Sequence, residues 1–336
     1  MSPSPKSNHA GNGLNARRQA SGGCKLHRMT SSRVRFLLAV SIVFIWACRD
    51  ERPLPADSVK AADSVQVPSG AVEPSTGWDR SSAGPVLLLS VAENNAVALV
   101  VFPLLTDSTV ADAASMSIDS LVDASVELFS RRGLAGAASI VGRAGAQVTE
   151  GCSSWPQARL SDAATEPWRV GFIRGVVAPL PLDSIAAMTS QDSVAVTREI
   201  ARLSSAAAEG DDPAFRGLPF IVRRVYRFTH ETTTTLAAEV VRKISEEANP
   251  REERILILAE RPVSSTGDFS TAFVSRTSGA EDSVRTDEII GAFRLVKGDV
   301  PALVISYDYF VGSRVALLQK VSGRWGITWR SAYAGC

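Results

Sequence analysis

From Phe220 onward the chain is a succession of short apolar segments separated by turns, and this feature limits the folds open to it. Eight segments have the length and residue types of strands: residues 220–228, 233–244, 254–260, 270–276, 289–296, 302–310, 314–321 and 324–333. Their short connections favour strands that are neighbours in space as well as in sequence. We therefore predict an antiparallel β-meander for the C-terminal half, which could be open or closed.

The segments between residues 84 and 215 predict a mixture of strands and helices. Residues 86–92 and 96–102 are apolar runs on either side of an Asn-Asn turn and predict a β-hairpin. Apolar residues spaced from Ile118 to Phe129 predict a helix that ends at Gly133. Residues 168–177 predict a strand, and residues 192–208 predict a second helix. The predicted fold class is α+β, with a β-hairpin and two helices in the N-terminal half and a subdivision of the globular region near residue 215.

The charge of the chain is unevenly distributed. Residues 1–47 hold seven of the 36 basic side chains and no Asp or Glu, so the rest of the chain has 29 basic and 35 acidic residues, a net charge of −6. Nucleic-acid binding depends on a basic surface that displaces counterions from phosphates. We therefore predict no nucleic-acid partner.

A short apolar run lies between the basic leader and a charged segment. It covers the twelve residues 36–47, preceded by Arg33 and Arg35 and followed by Cys48 and the run Arg49-Asp50-Glu51-Arg52. A membrane-spanning helix needs about 20 apolar residues, whereas the core of a signal peptide needs roughly 7–15. The length therefore predicts a signal peptide.

The last four residues of this region, Ile45-Trp46-Ala47-Cys48, resemble the lipobox of bacterial lipoproteins. The resemblance implies cleavage between Ala47 and Cys48, a diacylglyceryl thioether on Cys48 and acylation of the new amino group. The membrane would then be a partner through the N-terminal lipid, and the protein would face away from the cytoplasm in the bacterial cell envelope. An uncleaved anchor or an ordinary signal peptide are the alternatives, and both also place the bulk of the chain outside the cytoplasm.

These features divide the chain into three regions. Residues 1–47 form the signal peptide, whose true start could be Met29 because that start gives a leader of normal proportions. Residues 48–83 comprise the lipidated cysteine and a tether rich in Pro, Ser and acidic residues, with Trp78 as its only large apolar residue. Residues 84–336 form the globular domain.

Two cysteines lie outside the leader and the lipidation site. Since disulfides form in exported compartments, Cys152 and Cys336 predict one disulfide, with two separate buried thiols as the alternative. In the chain-entropy model, closing so long a loop contributes about 4–5 kcal/mol.

Motifs for catalysis, metals or cofactors are absent from the sequence of the globular region. A zinc site needs three or four ligands, and His230 is the only histidine after the leader, so we predict no metal and no cofactor. The glycine-rich residues 133–145 lack the spacing and the Lys of a phosphate-binding loop. Carboxylate pairs have no sequence signature, so a hydrolase that uses two acids remains open. Its candidates are Asp287, Glu288, Asp299 and Asp308.

Two further groups of side chains have alternative interpretations. Tyr307 and Tyr309 share one face of a predicted strand, as do Trp325 and Trp329, and they form either a packed core or an exposed stacking platform. The arginines of the first predicted strand form either a salt-bridged sheet surface or an anion site: Arg223, Arg224 and Arg227. We expect a packed core and a salt-bridged surface. We therefore expect a non-enzymatic envelope lipoprotein that binds a partner or serves in assembly, with the hydrolase as the alternative.

Overall fold

The computed structural model describes Trp78 and residues 84–90, 96–104, 117–145, 152–161, 166–207, 212–246 and 248–335. All of them belong to one compact unit, Ser69–Cys336. The predicted signal peptide, the residues Ala47 and Cys48, the disulfide partner Cys336 and nearly all of the predicted tether lie outside the described residues.

The described residues form eighteen strands, one α-helix and three short 3-10 helices. In chain order the strands are β1 Val86–Leu89, β2 Val97–Val101, β3 Pro103–Leu104, β4 Ser125–Ser130, β5 Gly133–Arg143, β6 Gln157–Leu160, β7 Val170–Ile173, β8 Val177–Leu180, β9 Asp183–Ser184, β10 Ile221–His230, β11 Thr233–Ile244, β12 Arg251–Pro262, β13 Ser270–Ala280, β14 Thr286–Leu295, β15 Val300–Tyr309, β16 Gly312–Val321, β17 Arg324–Ser331 and β18 Ala334–Gly335. The helices are α1 Ser190–Ala206 and the 3-10 turns Asp119–Leu121, Ile185–Ala187 and Pro213–Phe215.

The predicted α+β class is wrong, because the described part of the chain is mainly β and the first predicted helix does not form. Its residues form the 3-10 turn Asp119–Leu121 and the antiparallel hairpin of β4 and β5. Asp123 has a φ of 67°, a left-handed conformation that interrupts a right-handed helix. Val126 and Leu128 are two positions apart and are both buried, which is the period of a strand, whereas two such positions point to opposite sides of a helix.

The second predicted helix is confirmed as α1. The side chain of Thr189 accepts a hydrogen bond from the backbone N–H of Asp192 and so caps its first turn. Its apolar stripe buries Ile200 and Leu203 against the sheet.

The first sheet is a closed barrel of six antiparallel strands in the order β1-β2-β6-β5-β4-β7, and β7 returns to pair with β1. The predicted hairpin of β1 and β2 is confirmed, with Val86 opposite Val101. The predicted strand over residues 168–177 is shorter than expected. It divides at the turn around Gly175 (φ 78°) into β7, which belongs to the barrel, and β8, which leaves it.

All eight predicted C-terminal strands form, but they do not make one meander. Strands β9 to β13 form a five-stranded sheet in the order β13-β12-β11-β10-β9, and the chain then crosses to a second sheet. This second sheet has the order β3-β17-β16-β15-β14-β8, with β18 paired to β16. Its two edge strands are β3, which follows barrel strand β2 in the chain, and β8, which follows barrel strand β7.

The apolar cores stack these elements as layers. One core lies between α1 and the five-stranded sheet, a second between the two sheets, a third between the second sheet and the barrel, and a fourth inside the barrel. Strand β15 is buried on both faces, because Leu303 and Ile305 enter one core while Ala302 and Val304 enter the other. Burial on both faces explains why the central strands are continuous apolar runs.

Trp78, from the predicted tether, is buried in the core between barrel and second sheet. Its indole Nε1 donates to the carbonyl of Gly84 at 3.1 Å, and its backbone N–H donates to Gln319 Oε1 at 3.3 Å. Its ring contacts Phe172 at 5.7 Å and Trp329 at 6.2 Å between centroids. The core thus includes a residue upstream of Gly84.

The core interpretation of the C-terminal aromatic residues is confirmed for Tyr307, Trp325 and Trp329, which are all buried. Trp325 and Trp329 do not share a face, however. A register shift lets Leu317 oppose Trp329 and Leu318 oppose Ile327, so the two indoles enter different cores. Tyr309 remains partly exposed at the end of its strand.

A buried ion cluster joins α1 to the five-stranded sheet. Glu253 is fully buried and accepts from Arg242 Nε at 2.5 Å and from Arg276 Nη1 at 2.9 Å. Arg276 also donates to the carbonyl of Ala207 at the end of α1, and Arg242 donates to the carbonyl of Phe215. Removing one partner of such a cluster leaves buried charges uncompensated.

We expect Glu253→Ala to lower the free energy of unfolding by about 3–5 kcal/mol, because the buried Arg242 and the half-buried Arg276 lose the carboxylate that they share. Urea unfolding followed by circular dichroism measures this loss. The matched control is Glu281→Ala, which removes an exposed carboxylate from Lys243 and should leave the transition nearly unchanged. Equal losses in both variants would contradict the structural role of the cluster.

Candidate functional site

The four carboxylates proposed for a hydrolase each have a separate partner in the structure. Asp287 pairs with Arg285 at 2.7 Å, Asp299 pairs with Arg294 at 2.8 Å, and Asp308 accepts from the hydroxyl of Ser306. Glu288 instead belongs to a larger cluster of charged residues. Burial raises the pKa of Asp308 and the nearby charge of Glu288 adds to this rise, so these two acids are neighbours on the same sheet.

Five charged residues meet where the barrel and both sheets come together, and we call them the junction cluster: Arg131, Arg169, Arg224, Glu239 and Glu288. Each comes from a different position in the fold. Arg131 lies in the β4–β5 turn, Arg169 directly precedes β7, Arg224 and Glu239 are opposite each other on β10 and β11, and Glu288 is on β14.

Two irregularities in the strands lie beside the junction cluster. The pairing of β10 with β11 shifts between Val222 and Arg224, which leaves Arg223 as an extra residue. The pairing of β14 with β15 shifts between Ile289 and Gly291, just after Glu288. A bulge bends its strand and redirects the neighbouring side chains. We attribute the convergence of side chains from separate sheets to these two bulges.

Glu288 is the centre of the junction cluster. Its Oε1 accepts from Arg131 Nη2 at 2.7 Å and from Arg169 Nη2 at 2.8 Å, and Arg224 Nη1 lies 3.7 Å away. Burial alone would raise the pKa of Glu288, but the charges and hydrogen bonds of Arg169 and Arg131 outweigh burial and hold this pKa below its ordinary value. Glu288 is therefore a permanent anion near neutral pH.

Glu239 behaves in the opposite way. Its side chain is only 12% exposed, and burial raises its pKa to about 7 even though Arg224 and the backbone N–H of Ile289 favour the charged form. The negative charge of Glu288 adds to the rise. A cavity of about 30 Å³ borders Glu239, which is room enough for a water molecule.

The two carboxylates are close, but a guanidinium group lies between them. Arg224 Nη1 is 3.3 Å from an oxygen of Glu239 and 3.7 Å from an oxygen of Glu288. A glycoside-type hydrolase keeps the space between its two carboxyl groups for the scissile bond or a water. Here Arg224 occupies that space, so the arrangement is better suited to binding charge than to acid–base hydrolysis.

The other candidate residues have structural surroundings. His230 Nε2 lies 3.6 Å from Asp299, and Arg227 pairs with Asp183, which agrees with a salt-bridged sheet surface. The glycine-rich residues 133–145 contain strand β5 of the barrel and no phosphate-binding loop. Among the described residues, no group of three His, Cys, Asp or Glu side chains is placed to hold a metal ion.

Cys152 is disulfide-bonded in the structure. The next residue, Ser153, forms an isolated antiparallel bridge with Gly335, with both backbone hydrogen bonds at 2.9 Å. Since Gly335 precedes Cys336 directly, this bridge favours the predicted Cys152–Cys336 bond. The pairing itself stays a prediction.

Little in the amino-acid sequence indicates the junction cluster. Arg131 lies in the segment before Gly133 that predicts a helix, and that helix does not form. The available signal was a lone acidic residue in an otherwise apolar strand, beside three arginines in the preceding strand. That signal predicts an ion pair and gives no indication of Arg131 or Arg169.

Comparison with known proteins adds no assignment. No family model, no curated protein and no solved structure matches this chain. In the part of the chain that the structure describes, no helix is both long and apolar enough to cross a membrane.

We expect the stability of the protein to fall as the pH rises from about 4.5 to about 7, by at most about 3 kcal/mol from this one group. The folded-state pKa of Glu239 exceeds its unfolded value, so in this range the unfolded chain has released a proton that the native state retains. Glu239→Gln should remove this component. The measurement is the difference between the two proteins in free energy of unfolding across this pH range.

Glu281→Gln is the control for this pH series. The hydrogen bond from Lys243 lowers the pKa of the exposed Glu281 carboxyl, so this carboxylate adds stability that is lost as the pH falls. Glu281→Gln should therefore change the free energy of unfolding only at the acid end of the series, and in the direction opposite to Glu239→Gln. Parallel profiles for the wild type and Glu239→Gln would show that Glu239 does not titrate in this range.

Proposed function

We propose that this chain is a lipoprotein of the bacterial cell envelope, held to the membrane through Cys48, whose globular domain binds a partner protein and catalyses no reaction. The lipobox-like residues 45–48 support the anchor. The disulfide-bonded state of Cys152 agrees with export, because disulfides persist in oxidising compartments.

The observation that carries the binding role is an apolar hairpin tip between β15 and β16, formed by Tyr309, Phe310 and Val311. Phe310 is 78% exposed and Val311 is 52% exposed, and Tyr309 contacts Tyr333 at 5.9 Å between ring centroids. Three consecutive exposed apolar residues are unfavourable in water unless they serve a contact. Aromatic side chains dominate the binding energy of protein interfaces, so a partner protein is the occupant we propose for this tip.

A hydrolase is the second candidate, and one observation favours it. Glu239 has a pKa of about 7 and lies near Glu288, whose pKa is lowered, and such a difference is typical of an acid and its partner carboxylate. The position of Arg224 between them is the reason we place this candidate second.

The anchor is tested by the intact mass and membrane partition of the expressed protein beside Cys48→Ala. We expect the wild type to begin at Cys48, to carry acyl mass and to stay in the membrane fraction, because two or three acyl chains hold a protein on a bilayer durably. The variant should lack the acyl mass and leave the membrane. An intact leader in both proteins, or release of both, would contradict the proposal.

The binding role is tested with a photo-crosslinking amino acid placed at position 310 in cells. We expect one dominant adduct, which Tyr309→Ser should weaken by removing the neighbouring aromatic side chain. The matched control places the crosslinker at Val296, which is also 52% exposed and lies in the turn between β14 and β15, at the other end of β15 from the tip. This position should give no such adduct. The same adduct from both positions, or none from either, would refute a contact specific to the tip.

A further inference from the structure

The junction cluster carries more positive than negative charge. Three guanidinium groups surround one oxygen of Glu288, at 2.7, 2.8 and 3.7 Å. The second carboxylate, Glu239, contributes less than a full negative charge near neutral pH, because burial raises its pKa. Like charges held this close repel each other unless a further anion offsets them.

The three arginines also have hydrogen-bond donors to spare. In the described residues, their hydrogen bonds use Nε and Nη2 of Arg131, Nη2 of Arg169 and Nη1 of Arg224. A guanidinium group has five N–H donors in a planar fork, so each arginine can donate a hydrogen bond to a further oxygen. Their side chains are 26%, 36% and 49% exposed respectively, so solvent and solutes reach them.

The arginines differ in how firmly they are held. Arg131 is fixed by Glu288, by two hydrogen bonds to the carbonyl of Ile289 and by the ring of Tyr226, 5.1 Å from its guanidinium carbon. Among the described residues, the guanidinium group of Arg224 has two longer ionic contacts, at 3.3 and 3.7 Å, and these are with competing carboxylates. Arg131 is therefore held in one position, whereas Arg224 is free to move from the carboxylates to another anion.

We propose that Arg131, Arg169 and Arg224 form a binding site for a small oxyanion of the sulfate or phosphate type, and that Glu239 competes with this anion for Arg224. Arginine is suited to such ligands because its planar donors match the oxygens of the anion in pairs. None of the three arginines belongs to the hairpin tip, so either proposal can fail without the other.

The competition gives anion binding a pH dependence. Charged and polar groups on several elements surround Glu239: Arg224 and Tyr226 on β10, Glu288 and the N–H of Ile289 on β14, Arg131 in the β4–β5 turn, and Arg223, Arg254 and Asp287 around the small cavity. Below about pH 7 Glu239 is neutral and releases Arg224 to the anion. Above this pH its carboxylate attracts Arg224 and repels the anion.

The test is calorimetric titration of the full chain, kept in detergent, with sodium sulfate against a sodium chloride background of matched ionic strength. Sulfate is the probe because its own charge is constant in this range. We expect saturable binding that is at least about fivefold tighter at about pH 6 than at about pH 8, a factor typical of coupled sites. Glu239→Gln should bind sulfate with the same affinity at both pH values.

Arginine variants test where the sulfate binds. Arg169→Gln and Arg224→Gln should each weaken binding at the lower pH by at least about tenfold, because each removes a charge-assisted contact. Arg227→Gln is the matched control, since it removes an exposed arginine of the same strand β10 that pairs with Asp183. Urea unfolding confirms that each variant is folded. Loss of binding in all three variants alike, or no saturable binding by the wild type, would overturn the proposal.

A second titration separates a free anion from the same group on a larger molecule. Glycerol phosphate presents an esterified phosphate, and inorganic phosphate is its direct comparison at the same pH. Equal affinity supports a site for a free oxyanion, whereas tighter binding of the ester supports a phosphorylated ligand or headgroup. No binding of either probe, with sulfate also inert, would overturn the site.

Discussion

The fold depends on one sheet that is buried on both faces. Strands β14 to β16 contribute apolar side chains to the core shared with the barrel and to the core shared with the five-stranded sheet. These strands therefore bury apolar surface in both interfaces, and burial of apolar surface is the main favourable term in folding. Barrel, sheets and helix therefore form one layered unit. Trp78 joins the same core, which extends the unit upstream of Gly84.

The sequence predicted the strands well and their arrangement poorly. The alternation of residues and the turns between them fix each C-terminal hairpin, so all eight strands form where expected. The crossing from β13 to β14 leaves no such local signal, because residues 281–285 suit a turn between neighbouring strands as well as a passage between sheets. The helix predicted up to Gly133 failed for a related reason. Leu128 lies on the predicted helical stripe and also on the buried strand face that it shares with Val126, and packing against the barrel interior decides between the two periods.

The junction cluster could not be predicted for the same physical reason. Its members are local neighbours only in the pair Arg224–Glu239, and the other three arrive from the barrel and from the second sheet. The contact between Arg131 and Glu288 joins residues 157 positions apart. Such contacts follow from the layer order, which the sequence pattern left open. Bulges at Arg223 and Ile290 then set the directions of the side chains, and neither position has a distinctive residue.

Two carboxylates in one cluster take opposite protonation behaviour because the arginines are divided unequally between them. Arg131 and Arg169 both hydrogen-bond Glu288, whose charge is thereby fixed, and this fixed charge together with burial favours the neutral form of Glu239. A single charge-neutral pair would make a static contact. Here three guanidinium groups surround one carboxylate that stays charged and one that titrates. The cluster is therefore positively charged, and its net charge changes near neutral pH. The unequal division of the arginines gives the two acids different pKa values, as in a hydrolase pair. Arg224 lies between the two acids, however, and this position favours anion binding.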